Sequence, residues 1–164
     1  MLSLIVAIGK NHEIGRKNQL LCHLPEDLKH FKQLTLSHPV LMGENTYLSL
    51  PKRPLPGRRN IVLTLDKGKT YEGCEMAYSI EEALRLCPPE EETFVMGGAS
   101  VYRQLLPLCD RLYITRMLAE FPDADVFLPP IGPEWELVSE EPHPADERHC
   151  CAYVFQVYTK KSDR

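Results

Sequence analysis

Residues 2–8, Leu-Ser-Leu-Ile-Val-Ala-Ile, form a nearly continuous apolar run. A strand that exposes one face alternates apolar and polar residues, and this one does not. It suits a strand covered on both faces, as in a parallel sheet. Similar short runs follow at 40–43, 60–64, 74–77, 93–96 and 111–118. Helix signals fall between them: a helix opening at Pro25, a short one from Glu44 to Leu50, Ile80–Leu86 behind the cap Ser79 with Glu82 at the capping-box position, and Ala99–Leu106. Strand–helix alternation of this kind builds a mostly parallel central sheet flanked by helices on both faces. Val126-Phe-Leu adds a short strand. Trp135–Ser139 and Cys151–Tyr158 read as antiparallel closing strands. The expected fold is single-domain α/β over residues 1–164.

At 164 residues the chain can bury a substantial core without covalent help. Its net charge of −4 argues against a general nucleic-acid partner, which needs a basic face. No stretch approaches the roughly 20 apolar residues of a membrane helix. Cysteines stand at 22, 74, 87, 109, 150 and 151 with no Cys-x-x-Cys pair, which argues against a zinc site. The expectation is reduced thiols, no metal and a cytoplasmic protein.

Two features point to chemistry. Leu24, Leu28, Phe31 and Leu34 recur at helical spacing, and Asp27 falls inside that apolar stripe, between Phe31 and Leu34. A carboxylate among apolar side chains is costly without a partner. First-turn acids are also favoured by the helix dipole, so the segment alone leaves both readings open. The second feature is a pair of glycine turns, Gly43 and Gly97-Gly98, each at a strand's carboxyl end and each leading directly into a helix. Ligands bind at such ends in parallel sheets, and helix N-termini accept phosphate. By themselves these glycines could equally make tight turns. The polar segment from Gly9 onward reads as a loop long enough to act as a lid.

Taken together the pieces resemble the dihydrofolate reductase family of the chromosomal bacterial type. The resemblance rests on Ser3–Ala7, Ile14-Gly15, Leu24-Pro-Glu-Asp27-Leu28 with Phe31, Met42-Gly43, Arg53-Pro-Leu-Pro-Gly-Arg58-Arg-Asn60, Met96-Gly-Gly-Ala-Ser-Val-Tyr102, Leu112-Tyr-Ile-Thr115 and Ala124-Asp125. It spans essentially the whole chain, and the set in this order is highly specific.

The resemblance implies reduction of 7,8-dihydrofolate to 5,6,7,8-tetrahydrofolate by hydride from NADPH. It implies that Asp27 is the catalytic carboxylate, binding the pterin amino group and N3 and favouring protonation at N5, with Thr115 as the hydroxyl behind it. Ile5, Val6, Ala7, Leu28, Phe31 and Leu50 correspond to the apolar walls around the substrate. Arg58 corresponds to the clamp on the α-carboxylate of the glutamate tail, whereas Arg59 reads as a solvated turn residue. Cofactor contacts fall on Ala7, Ile14, Gly15 and Leu20 under the lid 9–24, and on Gly43, Glu44, Asn45 and Thr46. Further ones fall on Leu63, Thr64, Leu65 and Ser79, and on Met96, Gly97, Gly98, Ala99, Ser100, Val101 and Tyr102. The Gly97-Gly98 bond is expected to be cis, and Asp125 to sit in a loop that braces the lid. The expected state is a monomer that binds methotrexate, and trimethoprim more variably.

The sequence departs from the family pattern in three places. Cys22 stands where the family usually has tryptophan, and Leu21 replaces a common proline. The segment Phe121–Asp125 is one residue longer than in many relatives and lacks a glycine. Glu44, Leu65 and Ser100 stand where relatives often place a cation for the cofactor 2′-phosphate. Two other readings fit the fold: a pyrimidine reductase of riboflavin synthesis, and a non-catalytic folate- or RNA-binding module. Leu24–Asp27 and Arg58 argue against the first.

Overall fold

The computed structural model describes residues 1–15 and 21–161. Leu20, expected at the cofactor, lies outside the described residues. The strands are β1 (Leu2–Ile8), β2 (Glu13–Gly15), β3 (Val40–Gly43), β4 (Asn60–Leu63), β5 (Cys74–Ala77), β6 (Thr93–Val95), β7 (Arg111–Met117), β8 (Val126–Phe127), β9 (Trp135–His143) and β10 (Tyr153–Lys160). The helices are α1 (Pro25–Thr35), α2 (Glu44–Ser49), α3 (Ile80–Arg85) and α4 (Ala99–Leu105), the last continued by a 3-10 turn at Leu106–Leu108.

Eight strands form one sheet in the order β5-β4-β3-β6-β1-β7-β10-β9. The six from β5 to β7 run parallel, and β10 turns antiparallel against β7 and β9. The apolar run of β1 sits between β6 and β7, with Leu4 and Ile8 fully buried. That central place explains why β1 shows no polar alternation. The chain leaves β1 for β3, β4 and β5 on one side, returns through β6, and then crosses to β7. Strand order therefore reverses around β1, and the carboxyl ends of β3, β6, β1 and β7 lie along one edge of the sheet.

The local signals operate as expected at α3, where the Ser79 hydroxyl accepts from Glu82 N at 3.1 Å. The Glu82 carboxylate reaches back to Tyr78 N at 2.7 Å.

Three element readings change. Segment 9–15 is not plain loop: it holds β2, which pairs antiparallel with β8. A three-residue strand matched by a two-residue one gives no readable period. Strand β9 runs to His143, well past Ser139, because it is an edge strand exposed along most of its length and has no apolar face to alternate. β10 begins at Tyr153, leaving Cys150 and Cys151 in the preceding turn.

Candidate active site

Helix α1 buries little of itself. Of its residues only Thr35 is buried, and Leu28 on the apolar stripe is 47% exposed. The stripe is therefore half open: Leu24 is buried and Phe31 and Leu34 touch core clusters, while Leu28 faces outward. Beside it, Ala7, Ile14, Leu21, Cys22, Leu24, Asp27, Leu28 and Met117 line a cavity of about 40 Å³. Asp27 is the only carboxylate among the described residues of that lining. A larger groove of about 450 Å³ lies among Tyr47, Leu48, Arg53, Pro54, Tyr71, Glu72 and Gly73. It shares no residue with the Asp27 cavity and is open to solvent, so the smaller cavity is the better candidate.

Register brings a partner to Asp27. Ala7 on β1 pairs with Thr115 on β7, so both sit at the carboxyl edge. Thr115 Oγ1 donates to Asp27 Oδ1 at 2.5 Å. Burial raises the Asp27 pKa above the usual carboxylate range. The Thr115 hydrogen bond and the nearby His30 oppose that rise without cancelling it. His30 stacks on Phe155 of β10, with ring centroids 3.9 Å apart, and burial lowers its pKa despite the nearby Asp27. His30 lies outside the apolar stripe of Leu24, Leu28, Phe31 and Leu34, so the sequence pattern assigns it no role.

The expected walls divide between contacts. Val6 belongs to the buried core. Ile5 joins a second cluster with Phe31 and Leu50 packed against it. The Ile5 carbonyl accepts from the Tyr102 hydroxyl at 2.8 Å, tying β1 to α4.

Arg58 lies behind α1. Its Nη1 donates to Thr35 Oγ1 at 3.1 Å and its Nε to Pro56 O at 2.9 Å. Burial lowers its pKa, and it has no carboxylate partner among the described residues. Arg59 is not simply solvated: its fork grips Glu75 with two bonds of 2.7 Å, an arrangement that needs β5 beside β4.

On the other side of β1 the two glycine turns meet. Gly43 N donates to Gly97 O at 2.8 Å, and the Gly97-Gly98 bond is cis. Gly97 has φ +123°, open only to glycine. A Cβ on Gly97 would fall 3.3 Å from Thr46 Oγ1, and one on Gly43 would fall 3.2 Å from Val101. Neither α2 nor α4 has a side-chain cap at its N-terminus. Thr46, Val101 and Tyr102 thus frame a cradle where backbone can approach a ligand closely, which fits a dinucleotide phosphate.

The other expected cofactor residues are more scattered. Ser100 Oγ accepts from Gln104, and Ser79 is occupied as the α3 cap. Thr64 Oγ1 accepts from Asp66 N at 3.2 Å, Leu65 is 88% exposed, and Asn45 is exposed. Leu63 packs on the main core and Met96 on the second cluster. The Glu44 carboxylate accepts from Tyr71 OH at 2.8 Å and meets Lys69 Nζ at 3.5 Å.

Three features escaped sequence reasoning. Glu13 is buried, and its carboxylate accepts from Asn11 N at 2.5 Å and Phe121 N at 2.6 Å. Burial would raise its pKa, but the backbone N–H groups lower it overall. Together with Asp125 N donating to Gly15 O, this fastens segment 9–15 to the 121–128 segment. Second, His149 Nε2 accepts from Glu26 N at 3.1 Å while Nδ1 bonds Asp146 at 2.7 Å, capping α1 from a distant loop. Third, the thiols are not all free: Cys22 and Cys150 form a disulfide with Cα atoms 6.4 Å apart. They are 128 residues apart in sequence, so spacing could not reveal the pair. With Cys151 they place three sulfurs within 4.8 Å of one another.

A reversed parallel sheet, a shielded carboxylate at its carboxyl edge and a glycine cradle two strands away define a nucleotide-dependent α/β enzyme class. The dihydrofolate reductase family model matches residues 1–160. Curated relatives agree along their length. A dihydrofolate reductase of Bacillus subtilis (strain 168) is 41% identical over 163 residues, covering 99% of this chain and 96% of the relative. A type 3 dihydrofolate reductase of Salmonella typhimurium is 38% identical over 161 residues, covering 98% and 99%. The solved dihydrofolate reductase from Enterococcus faecalis, complexed with NADP(H) and RAB-propyl, superposes with a TM-score of 0.91 at 35% identity, covering 99% of this chain and 97% of that one. The chain belongs to the dihydrofolate reductase family. Its activity is reduction of dihydrofolate with hydride from NADPH, and neither the riboflavin-pathway reductase nor a non-catalytic module is favoured.

Proposed function

We propose that Asp27 is the residue on which the reduction turns. The observation that carries this is a shielded carboxylate, the only one among the described residues lining its cavity, held by Thr115 and raised in pKa by burial. A pterin offers an amino group and a ring N–H to such a carboxylate, a charge-assisted pair of bonds. NADPH supplies the hydride that reaches pterin C6. Asp27 orients the ring and favours the proton at N5, so that C6 accepts hydride more readily. Ala7, Ile14, Leu28 and Phe31 exclude water around the ring. Ile5 and Leu50 continue the apolar wall, and Arg58 clamps the substrate's α-carboxylate with the donors its two protein bonds leave free.

The Gly43–Thr46 and Gly97–Tyr102 turns hold the cofactor phosphates, with Gly15 and Ile14 against the nicotinamide. Thr64, Ser100 and Lys69 are the donors nearest in kind to a 2′-phosphate site. The protein acts as a cytoplasmic monomer and binds methotrexate and trimethoprim against Asp27. No helix among the described residues is long and apolar enough to cross a membrane.

The test follows NADPH oxidation by absorbance with and without dihydrofolate, for wild type and Asp27→Asn. Substrate-dependent oxidation in wild type, a fall of about a hundredfold or more in the variant at pH 7, and partial recovery in acid support the role. A near-wild-type rate for the variant at pH 7 rules it out.

A further inference from the structure

The Cys22–Cys150 disulfide joins two segments that also meet where Leu21 and Cys22 pack against Cys151 and where His149 holds Glu26 N. Cys22 lines the cavity beside Asp27, with Leu21 and Leu24 in the same wall. Cys150 is exposed in the turn between β9 and β10. The adjacent His149 holds the first turn of α1 through Glu26 N, on the helix that carries Asp27. Both ends of the bridge thus reach the same cavity, one through its wall and the other through the helix behind it.

The third sulfur gives the cluster its chemistry. Cys151 Sγ lies 3.9 Å from Cys22 Sγ and is buried, whereas Cys150 is open to solvent. Burial raises the Cys151 pKa and keeps it a thiol. An incoming thiolate reaches Cys150 first, because access decides which sulfur of a disulfide is attacked. In that step a bond forms between the attacking sulfur and Cys150, and the Cys22 sulfur leaves as thiolate and takes a proton. A second thiol then releases Cys150. Overall, two small thiols are oxidised to one disulfide, and two electrons and two protons reside on Cys22 and Cys150. Oxidation by a small disulfide such as oxidised glutathione runs the same steps backwards.

The cavity measures about 40 Å³ with the bridge closed. Sites for drug-sized ligands are about 300–1,000 Å³, so the lining, of which Cys22 is part, must open to admit a pterin. We propose that Cys22–Cys150 is a reversible redox modification site that restrains this movement, with the oxidised protein binding dihydrofolate less tightly than the reduced one. A disulfide in a cytosolic protein is more often regulatory or catalytic than structural, which agrees with this role. The proposal rests on the reading that the Asp27 cavity takes dihydrofolate.

The experiment poises the full-length enzyme with excess oxidised glutathione or with dithiothreitol and maps the cross-link by peptide mass spectrometry. KM is then measured for dihydrofolate and for NADPH separately. If the open cavity is populated about one time in ten when bridged, KM for dihydrofolate rises about tenfold on oxidation. KM for NADPH stays unchanged. Cys150→Ser is insensitive to both reagents and matches reduced wild type, while Cys151→Ser keeps the response. The proposal is overturned by equal dihydrofolate KM in the two states, by a shift confined to NADPH, or by a response lost in Cys151→Ser and kept in Cys150→Ser. The Asp27→Asn comparison at pH 7 uses fully reduced protein, so the reading of the cavity stands or falls independently of the bridge.

Discussion

Thr115 Oγ1 donates to Asp27 Oδ1 across 88 residues of sequence, from the carboxyl end of β7 to the first turn of α1. The hydroxyl stabilises the charged form of a carboxyl that burial otherwise pushes toward neutrality. A carboxyl whose folded pKa is raised lowers stability as pH rises through the interval from its unfolded to its folded value, and the loss persists above it. Asp27→Asn should therefore raise the melting temperature at neutral pH while lowering turnover. A gain of about 1 kcal/mol corresponds to roughly 2–4 °C. Thr115→Val should move the pH dependence of kcat/KM to higher pH, since the charged carboxyl loses a donor. Thermal unfolding at pH 7 and a pH–rate profile check the two; a lower melting temperature for Asp27→Asn contradicts the desolvation account.

Arg58 is half-buried, lacks an acidic partner among the described residues, and is steadied by Thr35 and Pro56. Replacing it with leucine removes one charge-assisted contact to the substrate. Dihydrofolate affinity should fall about ten- to a hundredfold, corresponding to roughly 1.5–3 kcal/mol. NADPH affinity should not change. Separate titrations of the two ligands decide the matter, and equal losses would place Arg58 elsewhere.

Glu44 bears on cofactor choice. Tyr71 and Lys69 hold its carboxylate, so the residue after the first glycine turn brings an anion with a single lysine beside it. The NADPH preference over NADH should accordingly be modest. Glu44→Arg frees Lys69 and adds a cation, and should raise the ratio of kcat/KM values by about one to two powers of ten. An unchanged ratio means that residue 44 does not face the phosphate.

Glu13 should matter for stability in acid. Its folded pKa is lowered, so its contribution is complete above the ordinary glutamate range and is lost as pH falls through the folded value. Glu13→Gln leaves one oxygen for two backbone donors and should destabilise by about 1–3 kcal/mol at pH 7. The variant should also lose less stability than wild type between pH 5 and 3, as denaturant melts across that range would measure.

Much of the fold was legible because its signals are local. A nearly continuous apolar run at residues 2–8 suits a doubly covered strand, and the glycines at 43 and 97 mark turns where a Cβ would be crowded. Asp27 on an apolar stripe was conspicuous because an uncompensated carboxylate is costly wherever it is buried. The sequence could not say that the stripe stays half open, since exposure depends on what the rest of the chain leaves uncovered. Nor could it show what meets across the sheet. Thr115 reaches Asp27, Glu75 takes the Arg59 fork, Phe121 N anchors Glu13, His149 caps α1, and Cys150 pairs with Cys22 only because β-strand register and crossover order bring distant segments together. Local periodicity sets which face of an element is apolar. Partners from separate elements are chosen by topology, and topology is a property of the whole packed sheet.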